Sequence, residues 1–133
     1  MKQSSRKVSS VLAAASLASG LLWVSGEVPA SAATAKCRPL ESAIGQTAKV
    51  CFASYGEVLT VYDTARDGKS AAANLSYSGQ SGGGFYWNSN GAGTKKTFNL
   101  SIKDGTKVKI RVCRGPYKNY AKTTCNSWWT YKA

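Results

Sequence analysis

Apolar and polar residues alternate along much of the chain with a period of two, and no window shows apolar residues at helical spacing. The alternating segments are rich in β-branched and aromatic residues, and clusters of Gly, Asn and Asp separate them, which is typical of strands and turns. The pattern predicts an all-β fold of seven strands, the number found in an immunoglobulin-like sandwich. The strands are expected over residues 49–54, 57–63, 70–78, 84–88, 96–102, 107–114 and 127–131.

The connection at Asp104-Gly105 carries information about topology. A two-residue hairpin turn at this dipeptide would place even-numbered residues opposite odd-numbered ones. The apolar residues on both sides are all even-numbered, so that register would turn one apolar set outward. We therefore predict a longer loop, or an arch that carries the chain from one sheet to the other. The residues concerned are Phe98, Leu100 and Ile102 before the dipeptide and Val108, Ile110 and Val112 after it.

Residues 1–32 have the pattern of a signal peptide. Three basic side chains precede an apolar stretch over residues 11–24, and Ala30-Ser31-Ala32 fits the small-x-small cleavage rule. The stretch is shorter than the ~20 apolar residues that span a bilayer, so a membrane anchor is disfavoured. We expect a secreted monomer with an N-terminal arm (residues 33–48) and one sandwich domain (residues 49–133).

All four cysteines follow the predicted signal peptide, and an even number in a small exported domain predicts two disulfides. A zinc site is disfavoured because the chain has no histidine and no CxxC spacing. We predict sequential pairing, Cys37 with Cys51 and Cys113 with Cys125. Each pair closes a short loop, for which chain entropy gives ~3 kcal/mol of stabilisation. Pairs that bridge the two sheets of a sandwich are the alternative.

Positive charge is concentrated near the C-terminus. After the predicted signal peptide the chain has 15 basic and 5 acidic side chains, and residues 95–132 hold 10 of the basic and 1 of the acidic ones. Lys107, Lys109 and Arg111 alternate with apolar residues, so we expect them on one face of one strand, with Lys103 close by. Such a run is usually a solvated face. Here the interspersed acids are missing, which favours an anionic partner.

Two aromatic runs, Phe85-Tyr86-Trp87 and Trp128-Trp129, lie in or beside predicted strands, where successive side chains point to opposite faces. At least one large ring of each run should therefore point outward. Outward rings can stack against sugars or planar ligands, or they can simply shield a sheet edge and pack on lysine stems. The candidates for stacking are Trp87, Trp129, Tyr117 and Tyr120.

No catalytic residue, metal site or cofactor is predicted. The chain has no histidine, which excludes Ser-His-Asp chemistry. A carboxylate pair of the glycosidase kind needs two acids, but Asp67 and Asp104 each precede a glycine, where Asp commonly stabilises a turn. Calcium at Asp63 and Asp67 would lack most of its six to eight oxygen ligands. An enzyme is therefore the least favoured class.

Three segments resemble a group of small secreted actinobacterial proteins that have no assigned activity. These are Asp63 with residues 67–71 (DGKSA), residues 87–94 (WNSNGAGT), and Cys113 with residues 125–129 (CNSWW). The resemblance covers most of residues 57–131 and implies bacterial origin, secretion and a β-sandwich, but no site residues. Residues 98–112 are also similar to the corner between strands E and F of fibronectin type III and other immunoglobulin-like modules.

The first functional hypothesis is a non-enzymatic binding module for an anionic polymer or glycan of the cell envelope, without recognition of a nucleic-acid sequence. A second is an inhibitor of exported hydrolases that presents the loop of residues 115–120. A third is a carbohydrate-binding or structural surface protein that uses Trp87 and Trp129. Salt dependence separates them, because only the first predicts binding that weakens steeply with salt.

We expect the exported protein to begin at Ala33, because the Ala30-Ser31-Ala32 site follows the apolar stretch at the usual distance. Intact-mass spectrometry of protein recovered from the culture medium checks this. Recovery of the uncut chain would contradict it.

Overall fold

The computed structural model describes residues 35–81 and 84–133, so the predicted signal peptide lies outside the described residues. Within them the chain forms nine strands and one short 3-10 helix, Tyr120–Lys122, which lies between β7 and β8. The strands are β1 (Lys36–Ser42), β2 (Gly45–Ala53), β3 (Val58–Asp63), β4 (Ser70–Tyr77), β5 (Phe85–Asn88), β6 (Lys95–Asn99), β7 (Lys107–Gly115), β8 (Thr124–Cys125) and β9 (Trp129–Lys132).

The strands pair in two antiparallel sheets that pack face to face. Sheet A has the order β1-β2-β3-β6. Sheet B has the order β5-β4-β7, and both β8 and β9 pair with the far side of β7. The all-β prediction is confirmed, and each of the seven predicted strands has a counterpart. The predicted number of strands is wrong, because β1 and β8 are two further strands among the described residues.

The hydrophobic core lies between the sheets and is built from alternating residues of four strands. Each fully buried Val, Leu, Ile or Phe side chain contributes about 1.5–3 kcal/mol to it. The inward residues of β7 are the even-numbered ones, as the alternation predicted. The core residues are Ala48, Val50 and Phe52 of β2, Leu59 and Val61 of β3, Ala71, Ala73 and Leu75 of β4, and Val108, Ile110 and Val112 of β7.

The link between β6 and β7 is an arch, because β6 belongs to sheet A and β7 to sheet B. The prediction from the even-numbered apolar positions is confirmed. The strand itself is shorter than expected, since β6 ends at Asn99. Ile102 is nevertheless buried, so its side chain reaches the core from the arch.

Residues 36–42, interpreted from the sequence as part of an arm, form the edge strand β1. Its side chains are mostly exposed, so the alternation that marks the other strands is missing. Arg38 pairs with Val50 and therefore lies on the core-facing side of this edge. Lys96 pairs with Val61 and therefore lies on the core-facing side of the opposite edge strand, β6. Inward-pointing charges on edge strands disfavour pairing with another chain.

Both disulfides join residues that face each other across neighbouring strands. Cys37 pairs with Cys51 between β1 and β2, and Cys113 pairs with Cys125 between β7 and β8. Sequential pairing is thus confirmed, and the alternative of bonds between the sheets is wrong. The first bond ties β1 to sheet A, and the second closes the loop that leads from β7 to β8.

A buried amide, that of Asn88 in β5, connects the two sheets. Its Nδ2 donates to the carbonyl oxygen of Val61 in β3 at 3.2 Å and to that of Thr94 at 3.0 Å. Its Oδ1 accepts from the backbone N–H of Asn90 at 3.1 Å. Since Asn88 is fully buried, its amide depends on these partners for its hydrogen bonds.

Replacing Asn88 by Ala should lower the free energy of unfolding by about 2 kcal/mol, because the hydrogen bonds of the buried amide are lost and a small cavity opens. Urea denaturation followed by fluorescence measures this. Asn90→Ala is the control, since its side chain is exposed and should change the free energy by less than ~0.5 kcal/mol. Equal losses in the two variants would show that the amide does not join the sheets.

Candidate binding face

Sheet B has an outer face, directed away from the core, that carries two rows of paired residues. In the first row Ala72 of β4 lies between Trp87 of β5 and Cys113 of β7. In the second row Asn74 lies between Phe85 and Arg111. Because side chains alternate along each strand, both rows face away from the buried residues Ala71, Ala73 and Val112.

The first row is covered and forms a small second core. Ala72 and Cys113 are fully buried, and Trp87 is only 6 % exposed. The rings of Tyr117 and Tyr120 lie against it, with centroids 5.9 Å and 6.3 Å from that of Trp87. Trp87 therefore points outward, as predicted for one ring of its run. The prediction that its ring is accessible to a ligand is wrong, because the two tyrosines cover it.

The covering segment, residues 116–123, folds down on the sheet and is held by its own hydrogen bonds. The carbonyl oxygen of Asn119 accepts from the Thr123 hydroxyl at 2.6 Å, and its side-chain Oδ1 accepts from the N–H of Lys122 at 3.2 Å. Gly115 directly precedes the segment, and a Cβ on this residue would lie 2.8 Å from the Cα of Thr123. The close approach of the two backbones requires glycine.

Aromatic rings remain accessible at this end of the face. Tyr117 is 51 % exposed and Tyr120 is 58 % exposed, although one side of each ring contacts the sheet. Tyr120 packs on Phe85 with ring centroids 5.0 Å apart. Both tyrosines that the sequence analysis proposed as site residues therefore lie together on the outer face of sheet B.

A basic column follows at the other end of the face. Lys107 and Lys109 are exposed and Arg111 is half-buried, and all three lie on the outer side of β7. Lys132 of β9 pairs with Lys107 and extends the column sideways. No strand of sheet B contains Asp or Glu. Lys103 is exposed in the arch before β7 and does not lie on the sheet.

Among the tryptophans of residues 35–81 and 84–133, the most exposed is Trp128, although Trp87 and Trp129 were the ones predicted as stacking residues. It is 42 % exposed, and the Arg111 guanidinium lies over its ring at 4.3 Å from the centroid. Trp129 instead pairs with Ile110 and packs against the main core. Two consecutive tryptophans must face opposite sides, but only the register with β7 tells which of them faces outward.

A shallow depression of about 430 Å³ lies beside Trp128, between β1 and the segment that enters β9. The amide of Asn126 joins its two walls, because it donates to the carbonyl oxygen of Pro39 at 3.2 Å and accepts from the N–H of Val112 at 2.8 Å. The guanidinium of Arg38 lies 5.7 Å from the ring centroid of Trp129. We call this site the Trp128 depression; its lining residues are Arg38, Pro39, Asn126, Ser127, Trp128 and Trp129.

A second cleft, of about 560 Å³, lies at one end of the sandwich and includes Asp63 and Asp67. Asp67 forms an ion pair with Arg114 at 2.7 Å. Asp63 is only 3 % exposed, and its Oδ1 accepts from the N–H of Ala65 at 3.3 Å. Burial raises the pKa of the Asp63 carboxyl, and this outweighs the lowering by that hydrogen bond. The part of the chain that the structure describes contains no cluster of three or more metal-ligating side chains.

Comparisons of the chain with known protein families, curated proteins and solved structures give no match. Among residues 35–81 and 84–133, no helix has the length and apolar character needed to cross a membrane.

Asp63→Asn should raise the melting temperature at pH 7. The pKa of Asp63 is raised above its ordinary value of 3.8 in the folded protein, so the folded state binds this proton more tightly than the unfolded chain does. Ionised Asp63 therefore lowers stability at neutral pH, and the loss is relieved as pH falls through the raised pKa. The rise in melting temperature caused by Asp63→Asn should shrink toward about pH 3, where the carboxyl of the wild type is itself protonated.

Thermal unfolding of both proteins across this pH range tests the expectation. Asp104→Asn, at an exposed position in the arch, serves as the control and should show no such pH-dependent gain. A melting temperature of Asp63→Asn that lies below that of the wild type at pH 7 but not at pH 3 would mean that the ionised carboxylate is needed for stability.

Proposed function

We propose that this protein is a secreted, non-enzymatic binding module that attaches to an anionic polymer of the cell envelope through the outer face of sheet B. The observation that carries the proposal is the basic column of Lys107, Lys109, Arg111 and Lys132, on a sheet whose strands contain no acidic residue. Exposed aromatic rings continue the same face.

The spacing of these cations makes the column attractive to a polyanion. Lys107 and Lys109 are two residues apart on one strand, about 7 Å, and Lys132 lies directly opposite Lys107 on the neighbouring strand. These separations are shorter than the Debye length of about 8 Å in physiological salt, so the potentials of the side chains add. A bound polyanion would relieve their mutual repulsion and release its own counterions.

The hydrolase-inhibitor alternative is less well supported by the shape of the loop over residues 115–120. An inhibitory loop has to enter the active site of its target. Here the rings of Tyr117 and Tyr120 pack against Trp87 and Phe85, so they hold the loop down on the sheet. A carbohydrate-binding role keeps its support from Trp128 and the two tyrosines, although not from the buried Trp87 or the core-facing Trp129.

Secretion and an immunoglobulin-like topology are parts of the same proposal. The two disulfides support an oxidising compartment. The strand order supports the topology if β2, β3 and β6 correspond to strands A, B and E, and β4, β7 and β9 to strands C, F and G. Two features depart from a constant-type domain, because β5 pairs with β4 rather than β6 and β1 is an additional strand.

Replacing Lys107, Lys109 and Lys132 together by Ser should weaken binding to polyanions at low salt. For single-stranded or duplex nucleic acid, used as a simple polyanion, the slope of log affinity against log salt should flatten by about 0.7 to 0.9 for each lost contact. The melting temperature should barely change, because all three side chains are exposed. Titrations at two or more salt concentrations measure the slope.

The matched control replaces Lys49, Lys69 and Lys95 by Ser, which removes the same charge from outside sheet B. We expect this variant to keep most of the salt dependence. Equal losses in the two triple variants would show that net charge alone attracts the polymer. Absence of binding to every polyanion at low salt would contradict the proposal as a whole.

A further inference from the structure

We propose that the polymer is an acidic polysaccharide and that one carboxylate-bearing sugar residue binds in the Trp128 depression, with its carboxylate at Arg38. This rests on the proposed function and specifies its ligand. The depression combines a concave shape, an accessible aromatic ring, hydrogen-bonding side chains and the guanidinium of Arg38, while Arg111 lies over the ring of Trp128.

The composition of the depression matches the two-sided chemistry of a sugar ring. A pyranose presents an apolar C–H face and a polar edge of hydroxyl groups, so its site needs an apolar surface and a few placed polar groups. Trp128 supplies the aromatic surface, while Ser127 and Asn126 supply a hydroxyl and an amide at the same site. A polymer that carries charge but no apolar face would make no use of the tryptophan.

Arg38 matches a carboxylate, and Arg111 adds positive charge beside Trp128. Arg111 lies over Trp128 at 4.3 Å, and Arg38 lies 5.7 Å from the Trp129 centroid. Neither arginine forms an ion pair with the described part of the chain, where the ion pair of Arg114 with Asp67 is the one found. A guanidinium stacked on an aromatic ring has lost part of its freedom already and still presents a planar fork of donors that fits a carboxylate.

The walls of the depression are held by covalent and hydrogen bonds. The Cys37–Cys51 disulfide fixes β1, which carries Arg38, and the Cys113–Cys125 disulfide directly precedes Asn126. The Asn126 amide then joins the walls through Pro39. A site built this way loses little conformational entropy when a ligand binds, which favours affinity.

The rest of the outer face suits further sugar residues. From Trp128 the second row runs through Arg111 and Asn74 to Phe85 and Tyr120, across about three strand spacings, or roughly 14 Å. The accessible tyrosines lie at one end and the lysines at the other. Proteins that bind single-stranded nucleic acid combine a positively charged groove along the backbone with aromatic rings on which successive bases stack. The separation of rings from lysines therefore favours a polymer in which neutral and acidic sugars alternate.

Hyaluronan oligosaccharides, in which acidic and neutral sugar rings alternate, are the first probe. Polyglutamate carries carboxylates without sugar rings, dextran carries sugar rings without charge, and oligothymidylate carries bases and phosphates. Isothermal titration at one low salt concentration compares these four ligands on the wild type, Trp128→Ala and Arg38→Ala. The controls are Tyr62→Ala and Lys49→Ala, because Lys49 lies over Tyr62 at 4.3 Å, the distance found for Arg111 and Trp128, but on sheet A.

Trp128→Ala should weaken hyaluronan binding about 3- to 10-fold, the range expected for one aromatic contact, and polyglutamate binding less than about 2-fold. Arg38→Ala should weaken hyaluronan binding about tenfold, since it removes a charged hydrogen-bond donor. Both controls should stay within about 2-fold of the wild type. Trp128→Phe keeps an aromatic ring, so it should bind hyaluronan nearly as well as the wild type while losing any fluorescence change that binding causes at Trp128.

Three results would overturn this inference. Equal weakening of hyaluronan and polyglutamate by Trp128→Ala, or no weakening of either, would leave a general polyanion surface and keep the proposed function. Tighter binding of oligothymidylate than of hyaluronan, lost in Trp128→Ala, would indicate a nucleic-acid ligand. No binding of any charged probe by the wild type would remove the proposed function together with the inference.

Discussion

The register between β4 and β7 determines what each face of sheet B presents. It pairs Ala73 with Val112 on the core side and Asn74 with Arg111 on the outer side. A slip of one residue would turn β7 over and exchange its valines and isoleucine for its lysines and arginine. The free energy of core burial therefore holds the basic column outward. Stability and the proposed binding surface depend on the same set of backbone hydrogen bonds.

The loop between β7 and β8 covers the part of the outer face that lies beyond the basic column. The disulfide from Cys113 and the close approach at Gly115 turn the chain back over Ala72 and Trp87. Burying Trp87 there adds to the apolar area removed from water in a domain of about 100 residues, where the main core is limited. The same covering brings Tyr117 and Tyr120 onto the face that carries the cations.

Arg38 shows how an edge strand can serve two needs. Its inward position on β1 disfavours pairing with another chain, since an added strand would have to bury the charge. The same position brings its guanidinium close to the ring of Trp129 in the Trp128 depression. The Asp63 carboxyl is a different case, because burial raises its pKa and so opposes its ionisation, while its Oδ1 accepts a hydrogen bond from the N–H of Ala65.

The sequence by itself determined the all-β fold, the inward residues of β7 and the absence of a two-residue hairpin turn after β6, and it favoured the sequential pairing of the four cysteines. Each follows from side-chain alternation or from chain entropy, which are local properties. Only the tertiary structure decided that β1 is a strand, that Trp128 is open while Trp129 faces the core, and that Trp87 is covered. These depend on cross-strand register and on a loop folding back, and neither is encoded in the alternation of a single strand.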